Sequence, residues 1–394
     1  MLNLQPNNIH IKNAKIMALA MLTLLVICAQ NITQAAELKT TAKYAYIYDV
    51  TNDTILYQKN SEILIPPASL SKLMTVYMIF EALRDGKVAF DDKFRISKRA
   101  YDRRGSSMFA QLKSKITIHN LIRGLIVVSG NDAAIAIAEG LAGSEEEFAL
   151  QMQQKAREIG LTKSTFGNAT GWPHENQKMT MRDLGHLANL LITEFPQYYH
   201  YFGETSLKWG TVIQPNRNIL LEENIGVDGL KTGYTKESGY GIVTSAMRDG
   251  RRIIVAIHGL TSSRKRSLEA QKLLDWGYKS FKKYVIYENR TIVGQAKVAL
   301  GKQPEIGLIV SEKIIALLNI DKTEQMTGEI IYVKPIVAPI SRNQIIGQLN
   351  VKGQDGYQYS VPLLAEKHVA KSDPIDQSVD ILWSWADKYL ESLF

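Results

Sequence analysis

Alternating apolar and polar positions predict strands at both ends of the first two thirds of the chain. Residues 42–50 and 54–59 alternate on either side of a Thr-Asn-Asp sequence, a pattern typical of a β-hairpin. Residues 239–260 form two β-branched runs connected by an Arg-Asp-Gly turn, which predicts a second hairpin.

Between these hairpins, apolar residues recur at helical spacing. One helix is predicted from Ser69 to Arg84, where an Asp-Gly pair ends it, and most of the middle third is also helical. A further helix is predicted at about Arg264–Tyr284. Because strands from both ends enclose a helical insertion, we predict an α/β chain of the α+β type, with one mainly antiparallel sheet and flanking helices.

The last third of the sequence has a different pattern. From about Glu288 to Ala370, short β-branched runs are separated by Gly, Pro and Asn, which predicts a separate small β-sandwich. After Pro374, apolar residues cover one side of a predicted helix, and the opposite side is mostly acidic. The C-terminal segment is therefore predicted to be an amphipathic helix.

The N-terminal segment has the features of an export signal. Lys12 and Lys15 precede an uninterrupted apolar run, and Ala35 and Ala36 provide a cleavage site. An uncleaved anchor is the alternative, but the run is shorter than the roughly 20 residues that span a bilayer. Cys28 follows the bulky Ile27, which argues against a lipoprotein signal.

We therefore predict four segments along the chain. They are a signal peptide (1–36), a main α+β domain (37–284), a β-sandwich domain (285–371) and an amphipathic helix that anchors the protein to a membrane (372–394).

Composition narrows the possible functions. The 394-residue chain is 45% hydrophobic and 22% charged, as in globular proteins. Its single cysteine lies in the predicted signal, so the mature chain has no disulfide, thiolate metal site or cysteine nucleophile. The formal net charge of +8 falls to about +6 without the two signal lysines. That scattered excess is compatible with an anionic surface such as a cell wall, and no basic block indicates nucleic acid.

Ser69 and Lys72 are the first candidates for chemistry. At helical spacing i and i+3 their side chains lie on one face. Pro67 and Ser69 are also ordinary residues for a helix start, so this motif alone is weak. However, Lys72 lies in an apolar segment, where burial lowers the pKa of an amine and makes it available as a base that activates the serine.

Two further motifs follow. Ser129-Gly130-Asn131 lies between two apolar segments and is either a turn between helices or a source of a proton-relaying hydroxyl and a substrate-orienting amide. Lys231-Thr232-Gly233 is either part of an edge strand or a site for a substrate carboxylate, with a fixed charge, a hydroxyl donor and a glycine that allows close approach. Each motif alone favours the structural interpretation.

Together the three motifs resemble those of penicillin-binding proteins and class A β-lactamases, where they occur in this order. The sequences "PASLSKLMT", "VSGNDAAIAIAE", "VDGLKTGYTKESGYGIVTSA" and "RSLEAQKLLDWG" resemble serine-type D-alanyl-D-alanine carboxypeptidases, the low-molecular-mass penicillin-binding proteins. The resemblance extends from about Glu37 to the C-terminus. It implies a β-lactamase/DD-peptidase-like antiparallel sheet with a helical subdomain, a β-sandwich and a C-terminal amphipathic anchor.

The resemblance implies three catalytic roles. Ser69 is the acyl-ester nucleophile and Lys72 its general base. Ser129 passes the proton to the leaving D-alanine.

The resemblance also implies the residues that bind substrate. Asn131 holds the substrate amide, and Lys231 with Thr232 receives the terminal carboxylate. Arg266 helps to orient that carboxylate, with Arg264 as its competitor. Gly233 has no side chain and lets the backbone approach the substrate closely. The backbone N–H groups of Ser69 and Tyr234 form the oxyanion hole.

The implied reaction is removal of the terminal D-alanine from peptidoglycan stem pentapeptides, without metal or organic cofactor. β-Lactams are the implied inhibitors. The implied location is the periplasmic face of the bacterial inner membrane, where the protein is held peripherally. Two features depart from the pattern: Tyr234 replaces the histidine of some members, and the polar side of the C-terminal helix is acidic, whereas interfacial helices are usually basic. That helix alternatively docks on protein.

Three alternatives remain open from the sequence. A DD-endopeptidase uses the same centre on a cross-linked substrate. A β-lactamase needs a carboxylate for fast deacylation, and Glu175 does not have the required spacing. A catalytically silent wall-binding module is the alternative outside enzymes. Oligomeric state is not predicted.

Overall fold

The structure is a computed structural model that describes residues 38–320, 326–353 and 358–373. The predicted signal peptide lies outside these residues, as does the predicted C-terminal helix from residue 374 onward. Within the described ranges, no helix combines the length and hydropathy that crossing a bilayer requires.

The strands, in chain order, are β1 Tyr44–Asp49, β2 Thr54–Lys59, β3 Lys93–Arg95, β4 Lys115–Thr117, β5 Ser206–Trp209, β6 Val212–Pro215, β7 Val227–Thr235, β8 Gly239–Arg248, β9 Arg251–Leu260, β10 Phe281–Tyr287, β11 Ile292–Ala299, β12 Glu305–Val310, β13 Ile314–Asn319, β14 Met326–Tyr332, β15 Ile336–Val337, β16 Ile345–Gly353 and β17 Gln358–Ala365. The helices are α1 Lys72–Arg84, α2 Lys98–Asp102, α3 Ile118–Ile126, α4 Asn131–Ala142, α5 Glu145–Glu158, α6 Met181–Glu194 and α7 Ser263–Lys279.

The main sheet has five strands in the order β2-β1-β9-β8-β7, and every neighbouring pair is antiparallel. Both predicted hairpins are confirmed. The β8–β9 turn has Asp249 at φ 48° and Gly250 at φ 74°, the left-handed conformations that a tight hairpin requires. Helices cover both faces of β9: Ile254 and Ala256 belong to the core shared with α6, whereas Ile253 faces Gly277 of α7. The predicted antiparallel sheet with flanking helices is confirmed.

The helical part surrounds an aromatic cluster centred on Phe80 of α1. Its fully buried ring lies within 6.3 Å, centroid to centroid, of four other rings. These belong to Phe195, Tyr198, Tyr201 and Phe202, which follow the end of α6. The cluster fixes α1, and therefore the residues at its N-terminus, against the chain that leads back to the sheet.

The predicted helix at 264–284 is wrong at its C-terminal end. Helix α7 ends at Lys279, the N–H of Ser280 bonds to the carbonyl of Trp276, and β10 begins at Phe281. Apolar residues at 281 and 284 have helical spacing, but these residues pair with β13 and form a strand. The predicted domain boundary after residue 284 falls inside β10.

Residues 281–371 form a second set of strands. A six-stranded sheet has the order β14-β16-β17-β12-β11-β15, and β10 pairs with β13. Ile314 of β13 is buried in one core with Leu308, Leu349 and Leu363 of the larger sheet. The two sheets therefore enclose a common apolar layer, and the predicted small β-rich module is confirmed.

We expect Phe80→Ala to lower the free energy of unfolding by about 3–5 kcal/mol, because it leaves a cavity among four rings. Denaturant titration followed by circular dichroism measures the change. The matched control is Leu150→Ala on α5, whose side chain is 66% exposed and which should change stability by less than about 0.5 kcal/mol. Equal stability losses in the two variants would contradict the assignment of Phe80 to the core.

Candidate active site

Ser69 lies in a 3-10 turn, Ala68–Ser71, immediately before α1. The helix predicted from Ser69 therefore begins with this tighter turn, and its α-helical part starts at Lys72. Ala68 has φ 52°, an unfavourable conformation for a residue with a Cβ. Such strained residues are often found at functional sites, where the surrounding structure holds them in place.

Lys72 is fully buried, and its amine contacts three segments of the chain. Nζ lies 3.0 Å from Ser69 Oγ, 2.7 Å from Asn131 Oδ1 and 2.5 Å from the carbonyl oxygen of Thr170. Burial lowers the pKa of Lys72 to about 7, against the opposing charges of Asp132 and Glu145. A neutral amine has two N–H donors for the two carbonyl oxygens, and its lone pair then accepts the Ser69 hydroxyl proton.

The Ser129-Gly130-Asn131 segment connects α3 to α4 and brings an amide to this lysine. The Oδ1 of Asn131 accepts from Lys72, while its Nδ2 donates to the carbonyl of Arg104 at 2.8 Å. Ser129 has φ 61°, and its hydroxyl is buried without a hydrogen bond in the described part of the chain. A buried hydroxyl without a partner is unusual and marks a candidate for contact with substrate.

The Lys231-Thr232-Gly233 segment lies in β7, the edge strand of the main sheet. A Cβ on Gly233 would lie 3.0 Å from the Pro67 carbonyl oxygen and 3.2 Å from the Leu70 nitrogen. The absence of a side chain therefore lets β7 approach the Ser69 turn. Tyr234, the next residue, is 52% exposed.

Lys231 is a second buried lysine at this site. Its Nζ is 3.3 Å from the Thr232 carbonyl oxygen, and only 2% of the residue is exposed. Burial lowers the pKa of Lys231 well below its ordinary value, and the positive charges of Lys72, Arg217 and Arg266 lower it further. Lys231 and Arg266 thus form a buried positive region, with the exposed Arg217 beside it, and such a region suits an anionic group.

Of the two arginines considered from the sequence, Arg264 and Arg266, the structure brings Arg266 of α7 near Lys231. Arg266 is 5% exposed, and it donates to the Arg217 carbonyl at 3.1 Å and to Ser263 Oγ at 3.0 Å. Its buried Nε makes no hydrogen bond within the described residues, and burial lowers its pKa to about 10. The competitor Arg264 is exposed.

Sequence reasoning missed the segment 168–171, which supplies the Thr170 carbonyl. Asn168 Oδ1 accepts from the backbone N–H groups of Thr170 and Gly171 at 3.1 and 2.8 Å, so this segment is held as a tight turn. Gly171 has φ 75°, and a Cβ there would collide with the Ala68 carbonyl. The available signal was an Asn-Ala-Thr-Gly sequence of turn-forming residues.

Comparison with known sequences identifies the family. A sequence profile of D-alanyl-D-alanine carboxypeptidases matches residues 30–261, more than half of the chain. The chain belongs to this family of serine-type hydrolases. The profile of the C-terminal domain of penicillin-binding protein 5 matches residues 281–371. These matches confirm the resemblance and the enzyme class predicted from the motifs.

Individual relatives match over most of the chain. D-alanyl-D-alanine carboxypeptidase DacF from Bacillus subtilis is 35% identical over 358 residues, which cover 89% of this chain and 90% of the relative. D-alanyl-D-alanine carboxypeptidase DacC from Escherichia coli is 33% identical and covers 77% of this chain and 78% of its own length.

Solved structures have the same fold. The D-alanyl-D-alanine carboxypeptidase DacD from Francisella tularensis has a TM-score of 0.75 at 27% identity, covering 86% of this chain and 95% of that one. Penicillin-binding protein D2 from Listeria monocytogenes, in its ampicillin-bound form, has a TM-score of 0.57 at 30% identity. It covers 62% of this chain and 99% of its own.

We expect Gly171→Ala to slow labelling by a fluorescent penicillin by roughly 100-fold, because the added Cβ would displace the Ser69 turn. The control is Gly143→Ala, which has a similar φ of 82° but open space around the position. Both variants have the same backbone strain, so only the displacement of Ser69 distinguishes them. Equal labelling rates in the two folded variants would contradict this role of Gly171.

Proposed function

We propose that the protein is an exported serine DD-carboxypeptidase that removes the terminal D-alanine from peptidoglycan stem pentapeptides. The observation that carries this proposal is the buried amine of Lys72, 3.0 Å from Ser69 Oγ, with its pKa lowered to about 7. A base whose pKa lies near the working pH is effective in proton transfer. Family membership supplies the reaction class.

Acylation is the first half of the proposed reaction. Neutral Lys72 takes the hydroxyl proton while Ser69 Oγ attacks the carbonyl carbon of the penultimate D-alanine. The backbone N–H groups of Ser69 and Tyr234 hold the resulting oxyanion. Collapse breaks the peptide bond, and the departing amine of D-alanine receives a proton through Ser129. Water then hydrolyses the Ser69 ester and releases the shortened peptide.

Recognition of the terminal carboxylate is assigned to the buried positive region. Lys231 and Arg266 are almost fully buried, and burial lowers the pKa of both. A bound carboxylate favours their charged forms, so substrate binding and the charge of these groups support each other. Thr232 adds a hydroxyl donor in the same strand. Asn131, already bonded to Lys72, orients the substrate amide.

β-Lactams are proposed to acylate Ser69 because their strained amide resembles the D-alanyl-D-alanine terminus. The ampicillin-bound relative from Listeria supports this interaction. We also propose that the protein acts at the periplasmic face of the inner membrane. The N-terminal signal sequence and the amphipathic C-terminal sequence support that location.

The carboxylates near Lys72 favour slow rather than fast hydrolysis of such an adduct. Asp132 accepts the N–H groups of Met108 and Ala110. Glu145 forms an ion pair with Arg99 and accepts the Ala169 N–H. Both are therefore already engaged. Glu175, considered above for a β-lactamase, is exposed. These contacts support a peptidase over a β-lactamase.

Mass spectrometry of a synthetic pentapeptide ending in D-Ala-D-Ala tests the reaction. We expect loss of one alanine with the mature protein and none with Ser69→Ala. Lys72→Met should slow the loss by about 100- to 10,000-fold, the range for a general base. The control Lys282→Met changes an exposed lysine of β10 and should keep full activity. A peptide left intact by the folded protein would refute the proposal, and cleavage only of cross-linked dimers would identify an endopeptidase.

The acylation rate should fall in acid. The pKa of Lys72 is lowered to about 7, so the reactive neutral amine is protonated below this value and the rate falls about tenfold per pH unit in acid. Stopped-flow acylation by penicillin from about pH 5 to about pH 10 measures this dependence. A rate that is flat across neutral pH would contradict the role of Lys72.

A further inference from the structure

A second cleft, outside the Ser69 site, lies between the β1–β2 hairpin and the start of α6. Its volume is about 570 Å³, within the range for small-ligand sites. Tyr48 and Ile55 are directly opposite each other in the hairpin and form an apolar floor. Arg182 and His186 of α6 form one wall.

The unusual group in this cleft is Tyr46. Its ring is stacked beside Tyr48 at 6.2 Å, and it packs against Gly185 of α6, where no Cβ blocks it. The residue is only 5% exposed, and its hydroxyl makes no hydrogen bond within the described part of the chain. Burial raises the pKa of Tyr46 to about 12, so the hydroxyl remains a protonated donor at neutral pH. This hydroxyl lines the cleft and can donate to a polar ligand atom there.

The ionic groups of the cleft already have partners within the protein. Glu62 bonds to Lys163 and to Arg182, each at 2.8 Å. Asp53 accepts the hydroxyl of Tyr48, and Asp183 accepts the Ser164 N–H at 2.9 Å.

Three carboxylates face two cations, so the cleft does not attract an anion such as phosphate. The described residues also contain no cluster of His, Cys, Asp or Glu that could hold a metal ion. The remaining chemistry suits a neutral molecule with many hydroxyl or amide groups.

We propose that this cleft binds a neutral saccharide. The apolar floor packs against the C–H face of a sugar ring, and the Tyr46 hydroxyl donates to a ring substituent. His186 Nε2 lies 2.9 Å from the Ile159 carbonyl, which places the proton on Nε2 and leaves Nδ1 as an acceptor for a sugar hydroxyl. The wall polymer that carries the peptide substrate contains sugars of this class, so the cleft would hold glycan while Ser69 acts on peptide. That last connection rests on the proposed function.

Titration calorimetry with chitotetraose, an N-acetylated amino-sugar oligomer, tests the inference on the mature protein. Tyr46→Phe removes only the unpaired hydroxyl, so it should not lower stability, yet it should weaken sugar binding by about 2- to 12-fold. The matched control, Tyr359→Phe, alters an exposed tyrosine of the β module and should bind as wild type does. Cellotetraose, which lacks the acetamido groups, shows whether the amide or the hydroxyls of the sugar are recognised.

Two further experiments distinguish sugar binding in this cleft from binding at the Ser69 site. Binding should be unchanged in Ser69→Ala and should not be displaced by the sugar-free pentapeptide. Displacement by that peptide, equal affinity in wild type and Tyr46→Phe, or no binding of either oligosaccharide would each overturn the proposal. Pentapeptide cleavage is measured in the same preparations, so a failure of the proposed function is recognised independently of sugar binding.

Discussion

The desolvated amine of Lys72 is the constraint on which the arrangement of the site depends. A lysine removed from water is stable only if its donors are satisfied and its charge is reduced. Here the two carbonyl-type acceptors come from Asn131 at the start of α4 and from Thr170 in a distant turn. Among the described residues, the remaining partner of the amine is Ser69. Thus the same contacts that make burial of the lysine possible also direct its lone pair to the nucleophile.

Glycines complete this arrangement where side chains would prevent it. Gly171 lets the Thr170 turn lie against the Ala68 carbonyl, and Gly233 lets the edge strand β7 lie against the Ser69 turn. The nucleophile is therefore held between two segments that approach its backbone from different parts of the chain. The aromatic cluster around Phe80 fixes α1 below it. Precise placement of one hydroxyl in this way requires contributions from both the sheet and the helical subdomain.

Local sequence patterns predicted the structural features that neighbouring residues determine. They missed the features that depend on contacts between distant parts of the chain. The Ser69–Lys72 pair was predictable because three residues make about one helical turn, and the β8–β9 hairpin because its turn sequence demands left-handed backbone. Thr170 was missed because a backbone carbonyl carries no signal of residue type. The boundary between α7 and β10 was missed because Phe281 and Tyr284 continue the helical spacing, whereas pairing with the distant strand β13 makes this segment a strand. The unpaired hydroxyl of Tyr46 depends on packing against α6, which the alternation within β1 does not reveal.

The one-residue connection between α7 and β10 couples the two modules mechanically. Ser280 alone separates the helix that carries Arg266 from the first strand of the β module, and Phe281 is fixed by the Trp276 ring and by Arg251 of the main sheet. Because this connection is short and its neighbours are held by contacts, it leaves little freedom for a hinge between α7 and β10. A rotation of the β module would therefore have to move α7 or break the contacts of Phe281 with Trp276 and Arg251. The orientation of the β module is therefore tied to that of α7, the helix that carries Arg266.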